Sequence, residues 1–184
     1  KSFGSQIRGG ESSCRLRVAT QPVLNPGGTL TAAVALNWED FLRFGGELPV
    51  STDTVVIYEQ KSGVAPEAIP LEPKPAIAIP VPIEDLAKRN AGTLQAQNNV
   101  VLGLLAGWFG LGRNAILEGI RKKFARKGVE VLEGNERAYA AGLDYADTHP
   151  LPGEPRQFAA PRAAGASVNT AWKASPTVLN TCPP

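Results

Sequence analysis

Alternation, short unbroken apolar runs and helical spacing follow one another along the chain. From Ser12 to Ala19 the pattern alternates, with Cys14, Leu16 and Val18 on one side and Ser13, Arg15 and Arg17 on the other. That predicts a half-exposed strand. After a turn region at Gln21–Gly28, Leu30 to Leu36 is apolar except for Thr31, as a strand covered on both faces of a parallel sheet requires. Asn37 is placed to cap a short helix over Trp38–Phe44, with Glu39 and Asp40 in its first turn and Gly45-Gly46 as its stop. Val55–Tyr58 is a second buried-strand candidate, and Ala76–Ile79, between Pro75 and Pro80, a third. Gly63–Pro73, rich in proline, is expected to wrap the surface.

Helical spacing takes over in the second half. Leu94–Phe109 is apolar all round, with Val101, Leu102, Leu104, Leu105, Trp108 and Phe109, which predicts a central buried helix. Asn114–Lys127 is amphipathic: Ile116, Leu117, Ile120 and Phe124 oppose Arg121, Lys122, Lys123 and Lys127, and Gly128 is the expected stop. A last helix over Glu133–Tyr145 carries Asn135, Ala138 and Gly142 as a stripe of small groups suited to close helix packing. Strands first and helices interleaved or following predict a layered α/β domain, an open Rossmann-like sheet with flanking helices. From Thr148 to Pro184 the periodicity is lost in Pro, Ala, Gly and Ser, the composition of a linker or disordered tail.

Composition narrows the function classes. The 184 residues suffice for one domain with a tail, and a net charge of +2 provides no strong field for nucleic acid or membrane. No apolar run approaches the roughly 20 residues of a membrane span, and the start lacks a secretory signal pattern. The two cysteines, Cys14 and Cys182, form no close pair, so a cytoplasmic setting is the expectation. The chain opens on Lys1 in a loop with no preceding strand, which reads as an N-terminal truncation.

Candidate chemistry is sparse. With His149 the only histidine, just before Pro150, a histidine-based triad is excluded and the residue reads as a solvated linker position. Glu39, Asp40, Glu84, Asp85, Glu130 and Glu133 fall at helix starts or turns, where capping explains them. Ser12 and Ser13 lack the frame of a nucleophile elbow. The cations Arg121, Lys122, Lys123, Arg126 and Lys127 have no interleaved aromatics and read as a solvated face. A Rossmann dinucleotide site is disfavoured, because no G-x-G-x-x-G lies between a strand and a helix. What remains is the loop Ile7-Arg8-Gly9-Gly10-Glu11-Ser12: two glycines permit close backbone approach and Arg8 offers a planar fork for phosphate or carboxylate.

The run Ser5–Val18, continuing through Thr20–Asn25 to Val34–Asp40, resembles the γ domain of 2-oxoacid:ferredoxin oxidoreductases, the pyruvate/ketoisovalerate oxidoreductase catalytic-domain family. It is most similar to the version fused at the start of the α subunit of 2-oxoglutarate-type enzymes. Asn98-Asn99-Val100-Val101-Leu102-Gly103 resembles the family's Asn-containing helix start before a Leu-Gly pair, and Asn135–Gly142 with Leu143 and Tyr145 its closing helix. The resemblance covers 1–147, leaving 148–184 as the tail. The family's opening strand and Gly-Gly-Gln-Gly loop are missing, and no Tyr-Pro-Ile-Thr-Pro stretch of a thiamine domain follows Gly134-Asn135-Glu136.

The resemblance implies CoA-dependent oxidative decarboxylation of a 2-oxoacid, with 2-oxoglutarate favoured, giving acyl-CoA, carbon dioxide and reduced ferredoxin. Thiamine diphosphate with Mg2+, iron-sulfur clusters and coenzyme A belong to the complete complex. None is expected on this chain alone, which should be inactive in isolation; its partners are thiamine-binding α and β domains or subunits, with ferredoxin reached through them. In that setting Arg8, Gly9, Gly10, Glu11 and Ser12 are the candidate cofactor-binding residues, facing coenzyme A or a neighbouring domain. The alternative is a noncatalytic α/β interaction module or an inactive gene fragment.

Overall fold

Val55, Val56, Ile57 and Tyr58 are fully buried and form the middle strand of a three-stranded parallel sheet. The computed structural model describes residues 14–19, 28–39, 41, 48–69 and 71–153. Strands β1 (Ala32–Ala35), β2 (Val55–Glu59) and β3 (Ile77–Val81) lie in that order, with Ala32 opposite Val55 and Val55 opposite Ile77. Among the described residues four α-helices follow: α1 (Ile83–Ala91), α2 (Gln97–Phe109), α3 (Arg113–Phe124) and α4 (Val129–Thr148). All these elements lie in one compact unit, Thr29–Phe158.

Because successive strand residues point to opposite faces, β2 serves two cores. Val55 and Ile57 join Val81, Ile83, Ala87, Val100, Leu104 and Trp108 under the helices. Val56 and Tyr58 join Ala33, Ala35, Phe41, Val50, Ile69 and Leu71 on the other face. Tyr58 is anchored there by donating its hydroxyl to the Val64 carbonyl at 2.9 Å, with Trp38 packed 5.3 Å from its ring. A third cluster, Ala106, Ile120 and Tyr139, seats α3 against α2 and α4 through Ile116, Leu117 and Phe124. The layered α/β architecture and the apolar face expected of Asn114–Lys127 are the ones found.

Several expectations change. Residues 14–19 carry no strand and are exposed throughout, Leu16 to 61%; among the described residues no strand pairs with them, so the alternation has no core to face. Cys14 is exposed, and Arg15 donates to the Gly28 carbonyl. The segment 63–73 is more than a surface wrap, because Ile69 and Leu71 are buried against the sheet. Pro80 does not end β3, which continues to Val81; β3 is an edge strand among the described residues, where the missing N–H can face away from the neighbour. At Trp38 a helical turn forms, Phe41 N–H bonding the Asn37 carbonyl at 3.0 Å, while 42–47 lie outside the described residues. Gly128 does not stop α3, which ends at Phe124; at φ 97° it precedes α4.

Candidate functional site

Ligands of open parallel sheets bind at the carboxyl ends of the strands, so that edge is the first place to look for chemistry. Here β2 ends in Glu59, only 6% exposed, and α1 begins beside it. Oε2 of Glu59 accepts the Glu84 N–H at 2.8 Å and Oε1 the Lys61 N–H at 3.1 Å. The positive end of α1 is thus met by a carboxylate of the chain itself. Lys61 Nζ lies 2.7 Å from Asp85 and 3.4 Å from Glu84. The hydrogen bond between Lys61 and Asp85 holds the lysine above its ordinary pKa and the carboxyl below. Glu59 is met by two backbone N–H groups and Lys61 by two carboxylates, so the cluster joins β2 to α1.

The second place is the contact between α2 and α4, where the two helical motifs meet. Asn99 and Asn135, each 6% exposed, pair side chain to side chain: Asn99 Nδ2 donates to Asn135 Oδ1, and Asn135 Nδ2 donates to the Val131 carbonyl at 2.6 Å. One turn further along α2, a Cβ on Gly103 would stand 2.7 Å from the Leu143 nitrogen and closer still to the Tyr139 carbonyl. Across from it, a Cβ on Gly142 would collide with the Val100 carbonyl, and one on Gly107 would reach within 2.5 Å of the Ala146 methyl. The backbones therefore touch, which only glycine allows. At the far end the Trp108 indole donates to the His149 carbonyl at 2.8 Å, and the His149 ring stacks on Tyr145 at 4.1 Å. His149 is accordingly no free linker residue: it closes α4, its N–H bonding the Tyr145 carbonyl at 2.9 Å.

Elsewhere among the described residues, several polar groups tie helices together. A shallow groove of about 420 Å³ between α1 and α4 is lined by Leu86, Asn90, Arg137, Asp144 and Tyr145, yet the Arg137 fork is held by the Asn90 carbonyl at 2.8 Å. Arg113 forms a two-pronged pair with Asp147 at 2.8 and 3.2 Å, tying the start of α3 to the end of α4. Among the described residues no three His, Cys, Asp or Glu side chains gather to hold a metal ion. With two cysteines in the whole sequence, a four-cysteine cluster has too few ligands here. No described helix is long and apolar enough to cross a membrane.

The loop residues Arg8, Gly9, Gly10, Glu11 and Ser12 lie outside the described residues. What the structure does bring together is Asn99 and Gly103 with Asn135 and Gly142, the two stretches 36 residues apart singled out for their resemblance. Residues 1–145 match the family model of pyruvate ferredoxin/flavodoxin oxidoreductase. The chain belongs to that family. No curated protein matches it in sequence. Its membership of the pyruvate ferredoxin/flavodoxin oxidoreductase family agrees with a solved structure of 2-oxoglutarate:ferredoxin oxidoreductase from Magnetococcus marinus with 2-oxoglutarate, coenzyme A and succinyl-CoA bound. That structure superposes with a TM-score of 0.63 at 25% identity, covering 77% of this chain and 24% of the other. The chain thus spans about a quarter of the length of that relative.

Sequence reading missed α1 and its role at the sheet edge. Signals were present: Ile83 and Ala87 one turn apart, Glu84 and Asp85 in the first turn, Lys88 and Arg89 in the last, and Gly92 at φ 71° closing it. Glu59 was hidden at the end of an apolar run, where an acid reads as a strand stop.

Proposed function

We propose that this chain is the γ-domain part of a 2-oxoacid:ferredoxin oxidoreductase acting on 2-oxoglutarate, and that it contributes architecture and a coenzyme A or interdomain surface, with no catalysis of its own. The observation that carries the reading is the family match over 145 residues, joined to a neighbour that spans four times the aligned length and binds 2-oxoglutarate, coenzyme A and succinyl-CoA. The architectural part of the reading draws on the described residues. The Glu59 carboxylate joins β2 to α1, and the asparagine pair joins α2 to α4. Thiamine diphosphate with Mg2+ and the iron-sulfur clusters belong on thiamine-binding partner domains or subunits, which supply the decarboxylation and electron transfer when assembled. Arg8, Gly9, Gly10, Glu11 and Ser12 are the residues proposed to face coenzyme A or the adjoining domain, Arg8 by its charge and the glycines by close approach.

The test is reconstitution with the thiamine-binding partners, following reduction of ferredoxin by 2-oxoglutarate and, separately, by pyruvate. CoA-dependent reduction with 2-oxoglutarate preferred is the expected result. Arg8→Ala should raise the CoA concentration needed for half-maximal rate, or weaken subunit association. Turnover with neither 2-oxoacid would sink the reading, and unchanged kinetics and assembly in Arg8→Ala would sink the role of the loop.

A further inference from the structure

On the helices Lys88 reaches Glu84, Arg113 reaches Asp147, Arg121 reaches Glu136 and Arg137 reaches Glu133. The turn from α3 to α4 gathers four cations without such a partner. Lys122, Lys123, Arg126 and Lys127 are all exposed and make no ion pair among the described residues. The nearby acids Glu118 and Glu130 leave an excess of two positive charges, as large as the formal excess of the entire chain. The carbonyl end of α3 explains only part of this, since a helix terminus carries about half a negative charge. Beside these cations, Val129 is 71% exposed, the most exposed large hydrophobic side chain among the described residues. An apolar tip beside unpaired charges of one sign has the makeup of a transient protein interface.

We infer that this turn, Lys122 to Val129, docks against an acidic face of another domain or subunit of the same oxidoreductase assembly; the identity of that partner rests on the proposed function. Nucleic acid is a poorer fit, because Phe124, the only aromatic ring in the turn, packs inward against Ile120 and carries Lys123 Nζ 5.5 Å from its centre. Membrane is a poorer fit too, because a lone valine lacks the Trp, Phe or Leu face that enters the headgroup boundary.

The full-length chain and its thiamine-binding partner polypeptides, purified separately, are to be titrated by interferometry at about 50 mM and about 500 mM salt. The neutralised chain carries Lys122→Gln, Lys123→Gln, Arg126→Gln and Lys127→Gln; Lys74→Glu, on the loop before β3, is the control, and circular dichroism checks that each variant folds. Expected is at least about a tenfold loss of affinity in the neutralised chain, mainly in association rate, with the salt dependence flattened. Val129→Ser should weaken binding less and act on dissociation. Unchanged affinity in the neutralised chain, or an equal loss in Lys74→Glu, overturns the inference while leaving the proposed function standing. No association of the unaltered chain overturns both. Charge-dependent binding to phosphatidylserine vesicles or to an oligonucleotide, with subunit association unaffected, also overturns it.

Discussion

The sheet and the α2–α4 contact are both buried, yet they are held by opposite means. Around β2 the cohesion comes mainly from side-chain bulk: Val55, Val56, Ile57 and Tyr58 fill space on two faces, and at Val55, Val56 and Ile57 an apolar group of similar volume would serve. Between α2 and α4 it comes from missing atoms at Gly103, Gly107 and Gly142 and from one polar handshake, Asn99 with Asn135. A region packed by bulk tolerates exchange, whereas one packed by backbone contact tolerates almost none.

The strongest way to break this comparison is Gly142→Leu. With a carbonyl where the new side chain must go, the helices have to separate, and we expect a loss on the order of 3 kcal/mol or more in urea unfolding. A loss below about 1 kcal/mol would mean that the helices can part freely, and the contrast would fail. Next comes Asn135→Leu, which strands a buried amide on Asn99 and should cost about 1–3 kcal/mol. Adding Asn99→Leu should return much of it, so a double-mutant cycle that shows no coupling would deny the pair its role. On the sheet side Ile57→Val should cost only about 1 kcal/mol, because it removes one methylene from a site that prizes volume.

The gentlest probe is alkaline titration. All three tyrosines, Tyr58 facing the loops and Tyr139 and Tyr145 among the helices, are held above the ordinary value of 10.0 chiefly by burial. The fold therefore favours the neutral phenols. Their contribution is intact below 10, where unfolded tyrosine is also neutral, and declines as pH rises through the higher folded values. Phenolate absorbance should lag that of free tyrosine and rise together with unfolding; ionisation at the free value in a folded chain would contradict the burial.

Much of this was legible in the sequence for a physical reason. Val55–Tyr58 announced a central strand because a run of β-branched and aromatic residues has few other homes, and Leu94–Phe109 announced a buried helix because it has no polar face. The Asn135, Ala138 and Gly142 stripe predicted close packing, and that is where Gly103 arrives. Other misses depended on what lies distant in sequence. Cys14, Leu16 and Val18 alternate correctly but no described strand pairs with them. Pro80 looked like a terminator because its edge position cannot be seen locally. His149 looked idle because Trp108, whose indole it receives, lies 41 residues earlier.

Glu59 competes with any outside anion for the N–H groups at the start of α1. A ligand carried on the chain arrives at a local concentration in the millimolar range or above, set by its tether and not by the surrounding solution. The amino end of α1, already engaged by that carboxylate, therefore answers to no soluble phosphate or carboxylate of modest affinity. Whatever anions pass near this domain, that helix end behaves as an address already taken, and recognition must happen somewhere else on its surface.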